Sequence, residues 1–318
     1  MSENAHPADW GPAFGQVCSL GTALLWAMSL VFFKRSGESV PPLALNLYKN
    51  LVSMVLLTAT LVLLEILQRC GVTATGAGLH ELRAQSGASI AILMISGVLG
   101  IAVADTLIFA CLNASGLGVL AVVECLYSPM VLAFSWLLLG AALSWRSALG
   151  GVLVLTAVLF STRLGYSAND HRRMAAGIAS GAAAMVCIAL GIVIATTVLE
   201  SFPILWATTL RLVAGTLGLL GYGLIMPRHR AQLSGLRPSR VWRTMLPGAV
   251  LGGYGSYILW IAGFKYCAAP VAAILNQTST IFALILATLV LREPFSDRKA
   301  VAVGLAIVGV TLVLLERK

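Results

Sequence analysis

Apolar residues run along this chain in long blocks cut by short polar joints. About 20 residues of α-helix are needed to cross a hydrocarbon layer of about 30 Å. Blocks of that order fall at 14–33, 43–66, 89–110, 117–139, 147–163, 174–198, 205–226, 245–266, 269–291 and 298–315. The joints carry the breakers: Pro41 and Pro42 precede the second block, and Pro203 precedes the seventh. Pro270 opens the ninth, where a missing N–H costs little. The pattern predicts about ten transmembrane helices. The 164–173 linker divides them into a first five-helix repeat over 1–163 and a second over 174–318.

The two halves resemble each other. A slide of 152 residues lays Val98–Gly100 on Val250–Gly252, Glu124 on Asn276, Tyr127 on Ser279 and Ser128 on Thr280. A slide of 162 lays Pro41 on Pro203 and Lys49 on Arg211. Five helices is an odd number, so the second half enters from the opposite face. The fold class expected is an all-α membrane protein of two inverted repeats around a central cavity, an arrangement that suits alternating access.

Polar residues inside such blocks are costly unless they face a cavity or a partner. In the second span Asn46, Lys49, Asn50 and Ser53 recur at one-face helical spacing. Glu124, Tyr127, Ser128 and Ser135 form a stripe in the fourth. Asn276, Ser279 and Thr280 repeat it in the ninth, and Thr208, Arg211 and Gly215 do so in the seventh. Lys49, Glu124 and Asp105 all fall roughly 8–10 Å below one membrane face at 1.5 Å per residue. Lys49 therefore has two carboxylates to pair with, Glu124 or Asp105. The candidate substrate-binding set is Asn46, Lys49, Asn50, Glu124, Tyr127, Ser128, Arg211, Asn276, Ser279 and Thr280. In the bland alternative, these are structural pairs, or Lys49 and Asp105 snorkel to the interface. Pro129 is expected to kink its helix. Trp26, Tyr254, Tyr257 and Trp260 read as packing or as ligand-stacking groups, and Gly248, Gly252 and Gly255 as a close-packing face.

Composition sharpens the class. Charged residues make up 10% of the 318 residues against 59% hydrophobic, and mean hydropathy is +0.93, so lipid rather than water is the matching solvent. The net charge of +9 sits in the joints and lacks interleaved aromatics, which excludes nucleic acid as a partner. The six cysteines form no CxxC pair and the four histidines lie outside the spans. No metal or cofactor is expected. With neither a nucleophile–base pair nor a paired-aspartate motif, an intramembrane enzyme is disfavoured. A receptor or scaffold would need a signalling domain that these residues do not contain. The first dozen residues are polar with no basic n-region, so the first span reads as a retained helix.

Four segments carry a family likeness: ALLWAMSLVFFK (Ala23–Lys34), SVPPLALNLYKNL (Ser39–Leu51), ECLYSPMVLAFSWLLLG (Glu124–Gly140) and LVLREPFSDRKAVAVGLAIVGVTLVLL (Leu289–Leu315). With these, the chain resembles the drug/metabolite transporter superfamily of EamA type. The resemblance implies ten helices, a cavity between the halves and transport, often export, of small amino-acid-like metabolites across a bacterial inner membrane. Two departures stand out. The family's Gly-Glu after the fourth helix is Gly140-Ala141 here, while Glu293 is kept in the second half. The first helix lacks the carboxylate that small multidrug relatives use for proton exchange, so that coupling does not carry over. Expected partners are a small-molecule substrate, the bilayer and a coupling ion; a monomer suffices, and a homodimer stays open. Orientation divides the arguments. Of 21 Lys and Arg, six lie on the side of the termini and thirteen opposite, two being mid-span; the positive-inside rule then places the termini outside, whereas the resemblance implies inside.

Overall fold

The computed structural model describes residues 11–70, 79–140, 168–233, 239–267 and 269–293, with short or isolated positions at 145–156, 236 and 297–311. Eight helical runs among them are long and apolar enough to cross a membrane. Helix α1 spans Pro12–Ser36 and α2 spans Pro42–Arg69; both open on proline, which costs the first turn no hydrogen bond. After the short α3 (Leu79–Arg83), α4 (Gly87–Gly97) runs through a π-helical segment, Val98–Ala104, into α5 (Asp105–Ser115). The fourth span is broken into α6 (Leu117–Glu124) and α7 (Tyr127–Leu139). In the second half α8 covers Ala168–Leu199, so helix begins inside the stretch read as the 164–173 linker. Helix α9 is Ile204–Ile225, α10 is Pro227–Leu233, and α11 (Trp242–Gly248) passes through a second π segment, Ala249–Gly255, into α12 (Ser256–Tyr266). Helices α13 (Ala269–Asn276) and α14 (Thr278–Leu289) make the eighth run. The expected spans at 147–163 and 298–315 fall mostly outside the described residues.

Two features recur in both halves that the apolar blocks do not announce. The first is the π segment. Both copies contain the VLG triplet used for the 152-residue slide. Their glycines admit close neighbours: a Cβ on Gly97 would stand 2.6 Å from Arg211 Cα, and one on Gly252 would stand 2.7 Å from Ser29 Cβ. Pro247 lies inside α11, just before the second π segment, where its missing N–H already loosens the ladder. The second feature is the break. The fourth span is interrupted by a turn at Cys125–Leu126, and the eighth run at Gln277, 152 residues after Cys125. Pro129 sits in the first turn of α7, so the expected kink becomes an interruption just ahead of it. Around the break the ladder tightens to i−3 bonds, Cys125 N to Val122 O at 3.2 Å and Leu126 N to Val123 O at 3.0 Å.

Broken helices in lipid need other partners for their freed backbone groups. Here each half supplies the other. Gln277 Nε2 donates to the Glu124 carbonyl at 3.0 Å, and Thr280 Oγ1 donates to the Ala121 carbonyl at 3.2 Å. The two breaks therefore lie against one another.

Run directions follow from the contacts. Gly15 meets the Tyr266 end of α12, and Gly248 meets Phe33, so α1 is antiparallel to α11–α12. Lys34 Nζ donates to the Leu112 carbonyl at 3.1 Å, which places the ends of α1 and α5 on one face. The α4–α5 run and its counterpart α11–α12 thus cross in opposite directions. Lipid meets large apolar side chains such as Val55, Leu137, Leu217 and Ile225, while one buried apolar core joins both halves.

Candidate functional site

A cavity of about 100 Å³ lies where the two halves meet. A water needs about 10–15 Å³ on this measure, so there is room for several waters or a small metabolite. The broken helices bring Glu124, Tyr127, Asn276, Gln277 and Ser279 to its wall. Asp105 and Tyr257 enter from just beyond the two π segments, Thr208 and Arg211 from α9, and Trp26 from α1. Trp260 and Ile261 on α12, with Met185 and Ile188 on α8, supply much of the apolar wall.

Two kinds of charge meet there. The first is satisfied. Lys49 Nζ donates to Asp105 Oδ2 in a fully buried ion pair. The same ammonium donates to Tyr257 Oη at 2.6 Å, and Tyr257 in turn donates to Asp105 Oδ2. The ammonium also lies 4.6 Å from the Tyr257 ring centroid and 5.6 Å from that of Phe109, which offsets part of its lost hydration. A buried carboxylate and ammonium persist only with such dense partnering. Exposure settles the snorkelling alternative: Lys49 is 0% and Asp105 1% exposed.

The second kind lacks an opposite charge. Glu124 Oε1 accepts from Trp26 Nε1 at 2.8 Å, while Glu124 Oε2 has no hydrogen-bond partner among the described residues. Arg211 donates to Ser96 Oγ and stacks 5.2 Å from the Trp260 ring centroid, with no carboxylate bonded to it among the described residues. Asn276, the counterpart of Glu124, leaves both amide atoms without partners among the described residues. Tyr127 Oη is likewise without a hydrogen-bond partner among the described residues. Buried polar atoms seldom stay unpaired; four of them in the residues of one cavity wall mark places for a ligand's donors and acceptors.

Of the sequence-derived candidates, Glu124, Tyr127, Arg211, Asn276 and Ser279 reach the wall. The rest stand behind it. Lys49 reaches the cavity only through Asp105 and Tyr257. Asn46 Nδ2 donates to the Ile101 carbonyl at 2.7 Å and to Thr106 Oγ1 at 2.9 Å, clamping α2 to the π segment. Asn50 and Ser128 are buried in helix packing, and Thr280 is spent on the opposite broken helix. A polar stripe identifies the inward face of a helix but not what lies against it. Trp26, Tyr257 and Trp260, readable as packing, line the cavity, whereas Tyr254 bonds Thr60 outside it at 2.7 Å. Gln277 and Ser256 gave no signal of their own. Tyr257 had one: the 152-residue slide sets it on Asp105. No group of three or more metal-ligating side chains occurs among the described residues.

The model of the EamA-like transporter family matches residues 13–163 and again 175–315. The chain belongs to the EamA-like transporter family. It is an integral, multi-pass membrane protein, and its family is one of transporters. A crystal structure described only as that of a protein shares the fold, at 19% identity over 95% of this chain and 97% of that one, with a TM-score of 0.65. No curated protein matches the chain. Each matched half of this EamA chain carries, among the described residues, one π segment, one broken helix and one buried cation.

Proposed function

We propose that this chain is a secondary transporter, working as an exporter, of a small polar or zwitterionic metabolite, with substrate held in the central cavity. One observation carries the reading: among the described residues, an oxygen of Glu124 without a partner and a guanidinium without a carboxylate belong to the same cavity wall. A ligand amine fits Glu124 with Asn276, and a ligand carboxylate fits Arg211. Trp26, Trp260 and Tyr257 offer flat faces for the remainder of a small molecule. Opposed runs of α4–α5 and α11–α12 support an inverted repeat, in which discontinuous helices at the repeat interface hold the substrate. The two halves close one cavity, so a single chain suffices. Energy comes from an ion gradient or from the substrate's own gradient, and the setting is a bacterial inner membrane.

The test compares extracellular metabolites of cells carrying the native chain, the Glu124→Gln variant at equal membrane level, or empty vector. The reading expects a small zwitterion to accumulate outside with the native chain alone. A native profile equal to empty vector, or an unimpaired Glu124→Gln chain, overturns it.

A further inference from the structure

Asp105 and Tyr257 are repeat counterparts, 152 residues apart, and they bond to each other. A contact between equivalent residues lies on the pseudo-twofold axis that relates the halves. Around it the two cations are disposed as mirror partners. Lys49, from the first half, lies against the second π segment: a Cβ on Gly253 would stand 2.8 Å from Lys49 Cγ. Arg211, from the second half, lies against the first π segment: a Cβ on Gly100 would stand 3.1 Å from Arg211 Nη2. Tyr257 is four residues beyond Gly253, and Asp105 five beyond Gly100. At no more than 1.5 Å per residue, Asp105 is within about 7.5 Å along the helix of where Arg211 now rests. Arg211 shares the cavity wall with both Asp105 and Tyr257. Among the described cations, only Lys49 is bonded to the carboxylate in this state.

We propose that Asp105 exchanges its cation during the transport cycle, bound by Lys49 in the present state and by Arg211 in the opposite-facing one. The exchange rests on the alternating-access reading above. The symmetry operation that turns one state into the other carries Lys49 onto Arg211 and permutes Asp105 with Tyr257, so the shared contact is kept while the cation changes. Lys49 lies seven residues from the start of α2, near the Ser36 end of α1; its bonds tie α2, α5 and α12 together, and in the proposed cycle this tie is what closes that face. Arg211 lies seven residues from the start of α9, toward the Ala13 end, and its attachment to Asp105 shuts that face instead. One buried carboxylate shared between two cations keeps it paired with one or the other, and it lets only one face be tied at a time. Gly100 presents no side chain to the guanidinium where it now rests.

Hydrogen–deuterium exchange of the full chain in lipid bilayers tests this, with transport by the native chain read in parallel. In Lys49→Met, exchange rises severalfold at 37–41 and 115–118 and falls at 200–203 and 266–267, because Arg211 takes the carboxylate. Lys49→Arg keeps the native pattern. Lys49→Met with Arg211→Met loses the reciprocal shift and the folded yield, and Asp105→Asn added to that pair restores the yield. The proposal is overturned if Lys49→Met does not fold, if its exchange rises at both faces, or if the double variant matches the single one. A native chain that transports while Lys49→Met shows no reciprocal shift sinks the cation exchange alone; a reciprocal shift without any native transport sinks the transport reading alone.

Discussion

The two halves share a frame and differ in the charges they hang on it. Each has a cation one-third of the way into its second span, a π segment in its third and a break in its fourth. The first half adds two carboxylates, Asp105 and Glu124, where the second carries Tyr257 and Asn276. The duplicated frame makes a symmetric cavity, and the unduplicated acids give it polarity. In the proposed reading, a ligand meets Glu124 from one half and Arg211 from the other. On the proposed function, symmetry would supply two ways of opening, and asymmetry the ends that tell one group of a substrate from another.

A second difference lies at the membrane face. Gly116, at φ 84°, turns the chain into α6, and Glu293 closes that helix start by accepting from Leu117 N at 2.8 Å and Gly118 N at 3.0 Å. A carboxylate there meets both unpaired N–H groups and the positive end of the helix. The counterparts 152 residues away are Ala269 and Pro270, and the counterpart of Glu293 is Ala141. Proline has no N–H to satisfy. The second half therefore lacks one of the two donors as well as the acid that would serve them, which gives the departure at Gly140-Ala141 a physical rationale.

Breaking this comparison at its most charged point has the largest effect. Asp105→Asn leaves two buried cations without a carboxylate, and losing one partner of a buried pair costs about 3–5 kcal/mol. A correspondingly lower thermal-unfolding midpoint in detergent, with loss of transport, is expected. Trp26→Phe is next: it keeps the ring but removes the donor to Glu124, and a hydrogen bond to a charged group contributes about 1.5–3 kcal/mol. Transport falls at least several-fold while membrane yield holds. Glu293→Ala uncaps α6 and costs about 0.5–2 kcal/mol in the same unfolding assay. Pro270→Ala, the matching change in the other half, stays within about 0.5 kcal/mol. Equal losses for these last two would refute the account of the asymmetry.

The sequence exposes the frame more readily than the site. Spans read directly from apolar blocks because lipid demands them, and the stripe Asn46, Lys49, Asn50 and Ser53 correctly marks the inward face of α2, all four being buried. Which of those residues touch a cavity depends on helix spacing, which no single-helix pattern encodes. Lys49 faces inward yet is shielded by Asp105 and Tyr257. The π segments escape because one extra residue per turn leaves no mark in an all-apolar stretch. The break at Gln277 escapes because its compensation comes from the other half of the chain.

The central claim is that one cavity reads both ends of a zwitterion. Counterflow into sealed vesicles containing the purified chain tests it directly, using a pool of labelled amino acids beside their amide derivatives, which lack the carboxylate, and their deaminated derivatives, which lack the amine. The account predicts flux of at least one zwitterion and little of either truncated form, with Glu124→Gln and Arg211→Met each abolishing the flux. Flux that persists after either charge is removed from the substrate would contradict it.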